Sequence, residues 1–250
     1  MADHPILFSA PMVRALLAGT KTQTRRAIKP QPTEWQAQVI DITKPIFDED
    51  QGGWGQWETE WSSPSLDMPM GQPEREIWRP LRGLRYGVGD RLWVRENVYG
   101  DENPWSGQQG VRYVADNHVD TSRDGTQELF KLRHYRRGTG LLVPSIHMPR
   151  WASRLTLIVT DVRVQRLQDI SEEDARAEGV ICLGRMDGEP WDHCYVPGVT
   201  RGYEAEATTC YSLLWEEING EGSWAANPWV VAYTFTVHQQ NIDAMEAANG

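Results

Sequence analysis

The chain has little cysteine, no long apolar run and, over two stretches, no acid at all. Three cysteines in 250 residues, Cys182, Cys194 and Cys210, are odd in number and sparse, which argues against a disulfide framework. No apolar run approaches the roughly 18 residues a membrane-spanning helix needs. The opening MADHPILFSAP lacks the basic region and long apolar core of a signal peptide. The expected location is therefore the cytoplasm, with no membrane partner. Cys182, His193, Cys194 and His147 lack the paired C-x2-C spacing of a structural zinc site, so neither a metal nor a cofactor is expected.

The absence of acid is local. The formal net charge is -10, yet between His4 and Thr33 there is no Asp or Glu while Arg14, Lys21, Arg25, Arg26 and Lys29 give +5. From Leu129 to Thr160 the same holds, with Lys131, Arg133, Arg136, Arg137, Arg150 and Arg154 giving +6. Two basic segments on an acidic chain read as two walls of one anion-binding groove, since a local positive field attracts phosphate even where net charge repels it. The alternative is that each cation pairs with an acid from elsewhere in the chain.

What is present in quantity is tryptophan, 12 residues in an otherwise ordinary globular composition of 40% hydrophobic and 24% charged residues. Length favours one decorated domain over residues 1–250. Pro5 to Ser9 reads as a short strand. Ala10 to Ala18 reads as a helix with Pro11 near its start and Gly19 as its stop, throwing Lys21 to Arg26 out as a turn. Residues 31–85, rich in Pro, Gly and Trp with weak periodicity, read as an insertion, as do 99–108 and 181–201. Strands are expected over Gly89 to Glu96, Val111 to Ala115, Ser153 to Leu167 and Asn227 to Val237. Helices are expected from Ser171, where S-E-E-D has the pattern of a capping box, and over Thr208 to Ile218, packing Tyr211, Leu214, Trp215 and Ile218. The expected fold class is α+β, a small closed or half-closed β-barrel with flanking helices.

The stretch GTKTQTRR fits G-x-K-x-x-T-x-R through Gly19, Lys21, Thr24 and Arg26. After it come a G-D strand, a long alternating strand, the S-E-E-D helix and a terminal aromatic strand. In that order these resemble the ASCH family of PUA-like barrels, over some scattered core segments of the chain. The phrases GDRLWVRE, PSIHMPRWASR, LQDISEEDARAEG and ANPWV resemble a longer subgroup found among phage and prophage proteins.

The resemblance implies a chemistry. In the family's small bacterial N4-acetylcytidine amidohydrolases, a Lys and a Thr of this motif act with a Glu on the helix after the long strand. Here these positions are Lys21, Thr24 and, by aligning LQDISE, Glu178. A threonine hydroxyl needs a base within hydrogen-bond reach, a lysine crowded by Arg25 and Arg26 can lose its proton near neutrality, and a carboxyl can serve the leaving amine. Lys21 and Thr24 also suit a phosphate-binding turn. Arg26, Arg25, Glu96, Trp93, His147 and Arg150 are candidate substrate contacts, with Trp93 or Trp151 offering a face on which a base stacks. Three functions follow: amidohydrolysis of an N4-acylated cytidine or related nucleoside, binding of RNA or a modified base without turnover, and ribonuclease activity. The expected partner is a nucleoside or RNA.

Overall fold

The computed structural model describes residues 2–29, 31, 84–102, 109–121, 142–185, 191–199 and 202–247, together with backbone strands at 46–48, 53–61 and 73–80. Its centre is a five-stranded sheet of β1 (Asp3–Leu7), β2 (Gln23–Ala27), β6 (Arg91–Arg95), β11 (Thr156–Arg166) and β14 (Trp229–His238), in the spatial order β1-β6-β11-β14-β2. Only β1 and β6 run parallel; the other ladders are antiparallel. Helices α1 (Ala10–Leu17), α2 (Glu172–Ala177), α3 (Ala207–Asn219) and α4 (Ile242–Ala247) complete a mixed α+β architecture.

The long strand β11 shows how sequence sets the sheet's shape. Leu157 and Val159 point inward, and then the inward set changes parity to Val162 and Val164. Side chains alternate with period two, so such a switch requires one extra residue. Thr160 is that residue: Val159 pairs with Phe235 and Asp161 with Thr234, leaving a bulge between them. Bulges bend and twist the strand that carries them. β14 is the most deeply covered strand, with Val230, Val231, Ala232, Tyr233 and Phe235 all buried.

The sheet does not close into a barrel among the described residues. Its edges, β1 and β2, share no ladder. They nevertheless face each other across a narrow seam, because Arg26 on β2 donates to the Leu7 carbonyl on β1 at 2.8 Å. α1 connects the two edges, burying Met12, Val13 and Leu16 against the core. Gly19, at φ +73°, then turns the chain, and the amides of Thr20 and Lys21 both bond the Ala15 carbonyl. The following residues do not project outward as a turn, as their charge suggests. They form strand β2, and Gln23, Thr24 and Arg25 are buried.

Smaller sheets lie beside this core. β7 (Val98–Glu102), β8 (Gln109–Tyr113), β9 (Val119–Asp120) and β10 (Leu142–Val143) form a four-stranded sheet over Val98, Val111, Tyr113, Val143, Met148 and Ala152. The flanks of the predicted 99–108 insertion are thus paired strands. Within 31–85, strands β3 (Ile46–Asp48), β4 (Gly53–Trp61) and β5 (Pro73–Pro80) form an antiparallel sheet. Within 181–201, β12 (Ile181–Arg185) and β13 (Asp192–Tyr195) form a hairpin that sets Cys182 directly opposite Cys194. The odd cysteine count argues against disulfides, but the hairpin register brings these two into one bridge, and Cys210 remains a buried thiol. Burial pushes that thiol up to about 11. Among the described residues no helix is long and apolar enough to cross a membrane.

Candidate active site

Three chain segments meet at the seam between β1 and β2. One is Lys21 to Arg26. The second is the C-terminal end of α2, a helix started by Ser171, whose hydroxyl accepts from the Asp174 amide at 3.1 Å. The third is the inner face of α3. Residues 21 and 178 form an isolated antiparallel bridge, and the Thr22 amide bonds the Ala177 carbonyl at 2.8 Å. Gly179 makes this approach possible. Its φ is +104°, and a Cβ there meets the Ala15 side chain at 3.2 Å and the Lys21 Cβ at 3.6 Å.

Lys21 and Glu178 form a buried ion pair. The ammonium donates to Glu178 Oε2 at 2.6 Å and to the Glu178 carbonyl at 2.8 Å, with Lys21 1% and Glu178 3% exposed. The other carboxylate oxygen, Oε1, makes no close hydrogen bond among the described residues; Arg25 Nη1 pairs with it at 3.6 Å, and the Tyr211 phenol interacts with the same carboxylate. A buried acceptor left open in this way carries a desolvation cost that a bound donor removes. Burial pushes the Lys21 ammonium below the ordinary lysine value of 10.5; the Glu178 carboxylate opposes the shift, while Arg26 and Arg25 add to it.

Arg25 is locked by a different acid. Its Nη2 donates to Asp174 Oδ2 at 2.7 Å, and Asp174 also accepts from Gln23 at 2.9 Å and from Arg163 at 3.0 Å. Burial alone raises the Asp174 carboxyl, but Arg163, Gln23 and Arg25 outweigh it and hold the group below 3.8. This network fastens α2 to β2 and β11, and through α2 it fixes Glu178. Asp174 stands in the sequence only as a first-turn acid of the S-E-E-D helix, with no sign of its three partners.

Beside the pair lies a cavity of about 140 Å³, roughly ten times the space one water requires. Lys21, Thr24, Arg25, Arg26 and Glu178 line it, opposite Phe8, Tyr211 and Trp215. The Thr24 side chain is buried and its hydroxyl makes no hydrogen bond with any described residue. Burial, followed by the nearby Glu178 carboxylate, raises the Tyr211 phenol well above 10, so it remains a donor at physiological pH. The indole nitrogen of Trp215 is also buried without a partner. Tyr211, Leu214, Trp215 and Ile218, read from periodicity as a core-packing face, form one wall of this cavity. Periodicity reports that a helix face is covered and does not distinguish core from cavity wall.

The remaining candidates lie elsewhere. Glu96 is 2% exposed and bound by two Arg154 nitrogens, Nε and Nη2, at 2.8 and 3.1 Å, with Arg154 stacked 4.0 Å from the Tyr113 ring centre. Arg150 pairs with Asp3 at 2.6 Å and Asp243 at 2.7 Å, so the expected substrate contact is an ion pair. Trp93 carries the Arg95 guanidinium 5.1 Å above its ring, and His147 is exposed in a short 3-10 turn. Neither lines the cavity. The basic segment 131–137, expected as the second wall of a groove, lies outside the described residues. Among the described residues no cluster suits a metal ion. No family model, curated protein or solved structure matches the chain.

Proposed function

We propose that this cavity is the active site of an amidohydrolase acting on an N4-acylated cytidine or a related modified nucleoside, on a PUA-like barrel of ASCH type opened at the β1–β2 seam. The observation that carries this reading is the Lys21–Glu178 pair, buried and joined at 2.6 Å on the wall of a cavity that also presents the unbonded Thr24 hydroxyl. Oε1 makes no close hydrogen bond among the described residues, so the carboxylate keeps acceptor capacity for a bound donor.

Burial weakens the hold of Lys21 on its proton, and the 2.6 Å hydrogen bond to Glu178 offers that proton a path. With that proton on Glu178, neutral Lys21 Nζ takes the proton of Thr24 as its oxygen attacks the acyl carbon. Glu178 then protonates the leaving amine as the C–N bond breaks. Water releases the acyl group from Thr24 by the same steps reversed, restoring Glu178 to its starting state. Tyr211, held protonated beside the Glu178 carboxylate with which it interacts, is a donor that the substrate carbonyl or base would compete for. Phe8, Tyr211 and Trp215 offer apolar faces for a flat pyrimidine.

The test is incubation with N4-acetylcytidine while cytidine and acetate are followed by chromatography. Stoichiometric release of both is expected, with an acyl-enzyme mass on Thr24 detectable in rapidly quenched samples. Folded protein that releases no cytidine over hours would sink the reading.

A further inference from the structure

The cations at the seam divide into two sets. Lys21 and Arg25 are neutralised in buried ion pairs with Glu178 and Asp174. Arg26, Lys29 and Arg85 pair with no carboxylate among the described residues. These three line a second cavity of about 330 Å³, whose wall includes no acid among the described residues. The two cavities adjoin, sharing Leu7, Arg26, Ala27 and Asn219. Tyr86 and Tyr233 make the floor, with ring centres 5.1 Å apart. Their hydroxyls are engaged: Tyr86 donates to the Pro5 carbonyl at 3.0 Å, and Tyr233 accepts from the Arg85 amide at 3.1 Å. The second bond fixes the Arg85 backbone at the cavity wall. Arg26 spends one guanidinium donor on Leu7 and keeps the others for a ligand.

On a chain of net charge -10, cations around a cavity that holds no acid among its described lining select for an anion. Arg supplies forked donors and Lys a point charge, the combination that suits tetrahedral phosphate oxygens. We infer that the second cavity is a phosphate subsite, so that the site takes its base as a phosphorylated nucleoside, either a free nucleotide or one residue of a strand. This inference rests on the nucleoside reading of the adjoining cavity. Arg26, standing between the two, contacts both the nucleoside and its phosphate.

Titration calorimetry with cytidine, cytidine 5'-monophosphate and the ribotrinucleotide CCC tests it. The monophosphate is expected to bind about ten-fold or more tightly than cytidine. That ratio falls toward one in Lys29→Ala and in Arg85→Ala, both of them exposed side chains whose removal the fold tolerates. It also falls with added salt. A trinucleotide that binds more tightly than the monophosphate, with the same dependence on Lys29 and Arg85, identifies a strand as the source; the reverse order identifies a free nucleotide. Equal affinity for cytidine, monophosphate and trinucleotide overturns the inference, as does a ratio that survives both substitutions. Turnover of N4-acetylcytidine without phosphate preference removes this subsite and keeps the amidohydrolase. Phosphate-dependent binding without turnover does the opposite.

Discussion

Two buried carboxylates in this protein are each hydrogen-bonded by one cation, and their surroundings differ. Glu96 is gripped at both oxygens by Arg154, whose other nitrogen reaches Asp116 at 2.8 Å and whose plane covers Tyr113. Neither described cavity touches it. Glu178 is gripped at one oxygen by Lys21, makes no close hydrogen bond at the other, where Arg25 stands at 3.6 Å, and faces a cavity. Burial is nearly equal, at 2% and 3%, so burial does not separate them. What separates them is saturation. The fully bonded pair ties the four-stranded sheet to the central one, and the less completely bonded pair lies beside a cavity, which is why the proposed function rests on it.

Breaking each pair from the same side should give opposite signatures. The largest effect expected is on turnover: Glu178→Gln lowers kcat for N4-acetylcytidine by about 10² to 10⁴-fold, the usual range for loss of a general acid. Glu96→Gln leaves kcat per folded molecule within about two-fold, as expected of a group remote from the chemistry. Next is stability. Arg154→Met strands the buried Glu96 carboxylate and should cost about 3–5 kcal/mol in urea unfolding. Arg154→Met with stability unchanged would show that the Glu96 pair is not structural.

The pH dependence sharpens the contrast. The reactive form keeps one proton on the Lys21–Glu178 pair, and the Lys21 ammonium is depressed below 10.5, so kcat/KM should fall as pH rises through the value below 10.5 at which that proton is lost. Lys21→Arg should abolish both that limb and the turnover. A smaller effect concerns the network that fixes α2. Asp174 has a folded pKa below its unfolded 3.8, so the unfolded chain binds more protons in that window. Its stabilising contribution is present above 3.8 and is lost as pH falls through the lower folded value. Asp174→Asn should therefore flatten the acid limb of stability relative to the wild type, measured by thermal unfolding from neutral pH downward.

Much of the frame was legible in the chain. The alternation of Ser153 to Leu167, the Ser171 cap and the α3 periodicity located β11, α2 and α3 within a few residues. Gly19 and Pro11 bracketed α1. The placement of Lys21, Thr24 and Glu178 around one cavity was reachable only through the motif and its resemblance, since nothing local links residues 157 positions apart. β2 was not legible, because QTRRA has the composition of a solvated turn and becomes a buried strand only when Asp174 and Glu178 arrive to pair Arg25. The Cys182–Cys194 bridge depended on hairpin register, which cysteine counting does not see. The seam between β1 and β2, where both cavities lie, depended on sheet order, and a parallel β1–β6 pair leaves no local trace in sequence.

The most direct measurement is a side-by-side assay of wild type, Lys21→Met and Arg154→Met with N4-acetylcytidine, reading cytidine release per folded molecule. The account predicts release by wild type, none above background by Lys21→Met, and near wild-type release by whatever fraction of Arg154→Met remains folded. Equal loss in both variants, or full activity in Lys21→Met, would contradict the claim that an unsaturated buried pair marks the site and a saturated one marks the scaffold.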